Sequence, residues 1–196
     1  MPRPKQRTPQ MRDRVLSSAV DLLDRQGVSG FTARSVAREA DTSTPAVYEL
    51  FGDKGGLLRE VFFEGFRLLY RELDALDMSD DPRADLIVLI DAYRDFMHEN
   101  PVLTQLMFSR PFADFDASPS DIEAGGSVRT LIVERVRRCL DEGVLRGDET
   151  DIAHVLVALV QGLSAAEHAG RLGTTHESVD RRWTLAIHAA LDGLGR

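Results

Sequence analysis

Apolar residues recur every three to four positions along the whole chain, and period-2 alternation is absent, so the pattern predicts helices and no strand. Val15, Ala19, Leu22 and Leu23 fall on one stripe of a helix over about residues 10–26, and Gly27 supplies a left-handed stop. Thr32 is placed to cap a short helix over about residues 33–40, with Phe31 and Val36 at the two positions of a hydrophobic staple. After a tight break at residues 41–43, Ser43 or Thr44 caps a third helix. Pro45 stands in its first turn, where a missing N–H costs nothing, and residues 46–51 form its body.

Gly52 ends that helix and Asp53 can cap a fourth, carrying Leu57, Val61, Phe62, Phe66, Leu69 and Leu73 to about residue 76. Asp81-Pro82 opens a fifth, with Leu86, Leu89, Ile90, Tyr93 and Met97 on one face, and Pro101 breaks it. A short helix over 102–108 leads into a stretch rich in Pro, Asp, Ser and Gly, read as irregular over 109–126. Helices over 127–142, 151–169 and 176–194 complete an all-α chain of about nine helices. The longest apolar run, residues 155–160, is far short of the roughly 18 residues that span a bilayer. No apolar leader follows the basic N-terminus. With Cys139 as the only cysteine, no internal disulfide or multi-cysteine metal site is available, and a cytoplasmic protein without membrane partner, metal or cofactor is expected.

The net charge of −8 argues against a nucleic-acid partner until its distribution is considered. Residues 1–60 carry ten Lys/Arg against eight Asp/Glu, and the remainder carries fourteen against twenty-four. Arg3, Lys5, Arg7, Arg12 and Arg14 face only Asp13 within the first fourteen residues. A basic arm over 1–9 on a mildly basic module suggests a polyanion-facing part joined to an acidic body with another task.

The second and third helices, joined by a three-residue turn, have the form of a helix-turn-helix. Val36, Ala37, Ala40, Val47 and Phe51 form the apolar clamp between them, and the two alanines permit close approach. Thr44, Pro45, Ala46, Tyr48 and Glu49 are left at or near the outward end, where such motifs meet base edges. The run from Phe31 through Ala40, then Ser43, then residues 47–51, then Asp53-Lys54 and Leu57-Leu58, resembles the DNA-binding domain of the TetR/AcrR family of bacterial transcriptional regulators.

That resemblance implies a three-helix DNA-binding domain over residues 10–55 and a helical effector-binding and dimerisation domain over 56–196. It implies phosphate contacts at Thr32, Tyr48 and Lys54, and groove contacts at Arg34, Ser43, Thr44, Pro45 and Ala46. A cation at Lys54, in a helix's first turn, opposes the macrodipole unless an anion comes to rest there. The sequence departs from the family's pattern in three places: Asp41-Thr42 replaces Gly-Val in the turn, Leu50 replaces His, and Glu49 puts a carboxylate near DNA. Asp tolerates left-handed geometry, so the turn should survive. Glu49 is suited either to accept from a cytosine amine or to orient Arg34. The implied partners are a double-stranded operator, a small, largely apolar effector and a second copy of the chain. The expected role is a repressor released by that effector, with a ligand-independent activator or architectural protein as the alternative.

An all-helical enzyme is a remote alternative, since Walker, nucleophile-elbow, zinc-protease and Cys-x-x-Cys motifs are absent from the sequence. Asp151 with His154, and Ser164 with His168, stand one helical turn apart, where local hydrogen bonds are the ordinary outcome. Cys139 lies on an apolar stripe, as a structural thiol would. Phe62, Phe66, Tyr93, Phe96, Met97, Met107 and Phe108 could wall an effector pocket, with His168 as a polar contact. On the last two helices, Ile152, Val155, Leu159, Leu163, Trp183 and Ile187 are the expected dimer contacts. The glycines at 55 and 56 are expected to soften the start of the fourth helix, which leads from the DNA contact toward the presumed pocket.

Overall fold

The computed structural model describes residues 9–108 and 119–195. Within these residues there are nine helices and no strand: α1 (Pro9–Gly30), α2 (Ala33–Glu39), α3 (Thr44–Phe51), α4 (Lys54–Asp74), α5 (Pro82–Glu99), α6 (Pro101–Phe108), α7 (Pro119–Asp141), α8 (Glu149–His168) and α9 (His176–Leu194). The basic segment 1–8 and the stretch 109–118 lie outside the described residues. α7 starts at Pro119, well before the expected residue 127. Gly125 and Gly126, taken in the sequence for part of a break, sit inside it. Each costs about 1 kcal/mol against Ala in a helix interior, which a helix of 23 residues tolerates. α1 does break at Gly27, where φ is 66°, and a short further turn reaches Gly30.

The chain divides into two compact units, Met1–Leu68 with Asn100–Ala124 and Leu69–Glu99 with Gly125–Arg196; the division falls inside α4. In the first unit, Val15, Ala19, Leu22 and Leu23 are fully buried, and α1 packs against both α2 and α6. α4 and α6 approach closely at Gly65, where a Cβ would stand 2.5 Å from the Met107 sulfur. Phe62 packs edge-on against Phe66 at 5.2 Å between ring centres, and Phe66 against Phe108 at 6.2 Å.

In the second unit, α5 packs on α8 and α8 on α9. Tyr93 meets Gln161, and further along both helices His98 meets Glu167, so α5 and α8 run in the same direction. Asp85 is buried near the start of α5, where it accepts from the Ser79 backbone N–H, the Ser79 hydroxyl and the Arg138 guanidinium. Arg138 also donates to the Ser79 carbonyl, so the loop ahead of α5 is pinned to α7. Cys139 is fully buried and donates to the Pro82 carbonyl; burial pushes its pKa up, as befits a structural thiol. No helix among the described residues is long and apolar enough to cross a membrane.

Candidate nucleic-acid interface

The turn between α2 and α3 is closed by backbone chemistry at both ends. Thr32 caps α2: its hydroxyl oxygen accepts from the Ser35 N–H at 3.0 Å, and the Ser35 hydroxyl oxygen accepts from the Thr32 N–H at 3.0 Å. At the other end, the Thr42 N–H donates to the Ala37 carbonyl and the Asp41 N–H to the Arg38 carbonyl, the paired bonds of a Schellman motif. That motif needs a left-handed residue, and Asp41 supplies it with φ 49°. The Asp-Thr replacement therefore keeps the turn. Ser43 then caps α3 by accepting from the Ala46 N–H at 3.3 Å, so the oxygen of this expected groove contact is committed to the helix start.

Val36, Ala37, Ala40 and Val47 are each no more than 2% exposed, and Phe51 is buried with them. Phe31 and Val36 are fully buried, as a staple requires. This clamp fixes which side of α3 faces away. Pro45 and Glu49, one turn apart, are exposed; Tyr48 beside them is 45% exposed, and Thr44 and Ala46 are half-exposed at the helix start. Arg34, in the first turn of α2, is exposed as well.

Lys54 is the first residue of α4 and is exposed. The Asp53 carboxylate accepts from the Gly56 N–H at 2.7 Å and so caps this helix. The carboxylate one residue before Lys54 is thus turned toward backbone donors. Arg12, one of the basic residues among the first fourteen, is held in α1 as the helix expected there requires. It pairs with Glu60 of α4 at 2.7 Å and lies over the Phe51 ring, 5.3 Å from its centre. The pattern of apolar residues carries no trace of this link, because both charged partners are partly exposed.

The residues expected to line an effector pocket divide between the units. Phe62, Phe66, Met107 and Phe108 belong to the first, while Tyr93, Phe96, Met97 and His168 belong to the second. Phe96 and Met97 are each 1% exposed and fill the core. Tyr93 lines a small apolar recess with room for about one water molecule, together with Leu86, Leu89, Ile90, Ile132, Leu156, Val157 and Val160. The Tyr93 hydroxyl accepts from the Gln161 side-chain amide at 3.4 Å, and burial pushes its pKa up to about 12, so the phenol stays neutral. His168 is exposed, its Nδ1 lying 2.9 Å from the Ser164 carbonyl, and His154 Nδ1 lies 2.7 Å from the Thr150 carbonyl. His168 thus bonds Ser164 as the pairing on one helix predicts, whereas the local partner of His154 is the Thr150 backbone.

The expected dimer contacts also separate. Ile152, Trp183 and Ile187 are 2–3% exposed within the chain's own core, so they are not surface residues. Val155 is 53% exposed, with Leu159 and Leu163 half-exposed. Ala158, Gly162 and Ala165 beside them are exposed too. Trp183 is fixed from inside: its Nε1 donates to Glu167 at 2.6 Å, and Arg94 lies 4.6 Å from the centre of its ring. Arg94 also forks onto the Glu167 carboxylate and reaches Asp180 at 2.8 Å, joining α5, α8 and α9.

Residues 86–190 match the family model described as Tetracyclin repressor-like, C-terminal domain. Residues 15–61 match the model of the bacterial regulatory proteins of the tetR family. The chain belongs to the TetR family. This is a family of DNA-binding transcriptional regulators, and its N-terminal model spans α2, α3 and Lys54. A protein with unknown function from Rhodococcus sp. RHA1 is 28% identical, with a TM-score of 0.81 and both chains covered in full. The TetR-family regulator PfmR from Thermus thermophilus shares the fold at 19% identity and a TM-score of 0.65, over 94% of this chain and 100% of that one. The HTH-type transcriptional regulator BetI of Burkholderia thailandensis is 35% identical over 86 residues, 43% of this chain and 44% of that protein. The chain spans about half the length of the curated relatives it matches.

Proposed function

We propose that the chain is an operator-binding transcriptional repressor that acts as a homodimer and is released by a small, largely apolar effector. The observation that carries this reading is the outward strip of α3. The helix presents Thr44, Pro45, Tyr48 and Glu49 from a turn whose opposite side is buried in a clamp of small and branched residues. A short helix held this way fits the major groove, with its N-terminal residues toward the bases. Arg34, Thr44, Pro45 and Ala46 are assigned to base edges. Tyr48, Lys54 and the hydroxyl proton of Thr32 are assigned to phosphates, with residues 1–9 as a basic arm.

A second copy is proposed to pair through the exposed small-residue surface of α8 around Val155, Leu159 and Leu163, giving two reading heads related by a two-fold axis. The recess beside Tyr93 is too small for an effector as it stands, and its aliphatic walls and one neutral phenol support an uncharged, mostly apolar molecule that widens it on binding. A TetR variant from Acinetobacter baumannii, 16% identical with a TM-score of 0.64 over 91% of this chain and 93% of that one, was solved in complex with minocycline. That supports a small-molecule partner here. α4 begins at Lys54 and ends in the second unit, so it is the covalent route by which effector binding would reach the DNA contacts.

The test is the salt dependence of binding to duplex DNA. Neutralised phosphates release counterions, so the wild type should lose affinity steeply with salt, and Lys54→Ala should lower the log–log slope by about one. A slope near zero, or one that Lys54→Ala leaves unchanged, contradicts the assignment.

A further inference from the structure

We propose that Glu49 is a specificity-determining residue of the DNA interface, a carboxylate that accepts a hydrogen bond from the exocyclic amine of a cytosine in the major groove. The assignment rests on the DNA-reading function proposed above. It starts from placement: Glu49 lies one turn beyond Pro45 and next to Tyr48, on the exposed side of α3 that the Val36, Val47 and Phe51 clamp leaves outward.

Chemistry then separates Glu49 from its neighbours. Pro45 and Ala46 offer apolar surface alone, suited to a thymine methyl, and the Thr44 and Tyr48 hydroxyls both donate and accept. Such groups discriminate weakly. An ionised carboxylate accepts and never donates, so cytosine's amine is a partner, adenine's amine is a poorer one because the N7 acceptor stands beside it, and guanine O6 and N7, thymine O4 and every phosphate oxygen repel it. Glu49 therefore selects by rejection as much as by attraction. It lowers affinity for DNA in general and returns part of that loss where a cytosine stands opposite it.

Sequence selection from a random duplex pool tests this, with the wild type and Glu49→Gln run side by side. The substitution is isosteric and exposed, so the fold is kept. The expected wild-type motif contains one cytosine per half-site whose preference falls about tenfold or more in Glu49→Gln, with adenine gaining there because an amide pairs bidentately with it. The other positions should not move. A Glu49→Gln variant that enriches the wild-type motif, with all affinities raised alike, overturns the proposal and leaves Glu49 as background charge. A change at the base position that Arg34→Ala alters overturns it too, because Glu49 would then act by orienting Arg34. A wild type that enriches no motif overturns the DNA-reading function and this assignment together, which distinguishes the two failures.

Discussion

The carbonyl oxygen of Phe51 occupies the space that a side chain at Gly56 would need, 2.0 Å from the position of an ideal Cβ. A glycine at 56 is thus required by the close return of α4 over the end of α3. Gly55 differs, since a Cβ there would meet only the Asp53 carboxylate at 3.2 Å. The pair read from sequence as a soft joint contains one position fixed by fit. Gly56→Ala should destabilise the first unit by about 1–3 kcal/mol, because the obstructing atom is backbone and must shift. Gly55→Ala should be near neutral or stabilising by up to about 1 kcal/mol. Urea unfolding of the two single variants checks the ordering, and equal midpoints would contradict it.

The α2–α3 turn carries two removable costs. Thr42 buries its hydroxyl oxygen with no hydrogen-bond partner among the described residues, and Asp41 holds a left-handed backbone. Thr42→Val keeps the shape and deletes the unsatisfied group, for an expected gain of about 1 kcal/mol. Asp41→Gly should add up to about 1 kcal/mol by relieving the left-handed strain. Both are measured by thermal unfolding, where a fall in Tm for Thr42→Val would show that the hydroxyl has a partner after all.

The acid limb of stability should be set by the second unit. Glu167 is held below its ordinary value of 4.5: burial pushes it up, and hydrogen bonds from Arg94, His98 and Trp183 outweigh that. Asp85 is held below 3.8 by the Ser79 hydroxyl, against its burial, with help from the Ser79 N–H and Arg138. Glu149 is lowered by Arg137. A carboxylate with a lowered folded pKa stabilises the fold fully above its unfolded value, and that contribution disappears as pH falls through the folded one. Glu72 and Asp91 shift upward, burial first, and oppose this at neutral pH. Stability should therefore hold from neutrality to about pH 5 and fall below about pH 4.5, and Arg94→Met should flatten that fall. Urea midpoints across the range test it, and an unchanged acid slope in Arg94→Met would contradict the role given to Glu167.

The proposed α8 interface separates dissociation from unfolding. Val155 is exposed and Ile152 buried one turn away. Val155→Glu should give a folded monomer with weak DNA binding, whereas Ile152→Glu should unfold the second unit by burying a lone carboxylate. Sedimentation with circular dichroism distinguishes them, and a Val155→Glu protein that stays dimeric would place the interface elsewhere.

The helices, their caps and the clamp of the helix-turn-helix were legible in the sequence because each is written within about four residues: Thr32 before Ala33, Ser43 before Pro45, Asp81 before Pro82. The α8 start at Glu149, capped by Asp148, and the α7 start at Pro119 were missed, since polar or glycine-bearing first turns resemble loops. Long-range side-chain partners were not legible. Arg94 with Glu167, Arg12 with Glu60 and Tyr93 with Gln161 join residues 48 to 73 positions apart, and nothing local marks them. For the same reason Trp183 and Ile187 read as interface: an apolar stripe does not say whether its partner belongs to the same chain.

Selection of bound duplexes from a random pool by the wild-type protein measures most directly whether α3 is a base-reading helix in a two-fold symmetric dimer. The expected result is enrichment of an inverted repeat whose half-sites lie one helical turn, about 34–36 Å, or a multiple of it apart. A pool that enriches no motif, or one that yields an asymmetric site bound by a single chain, would contradict it.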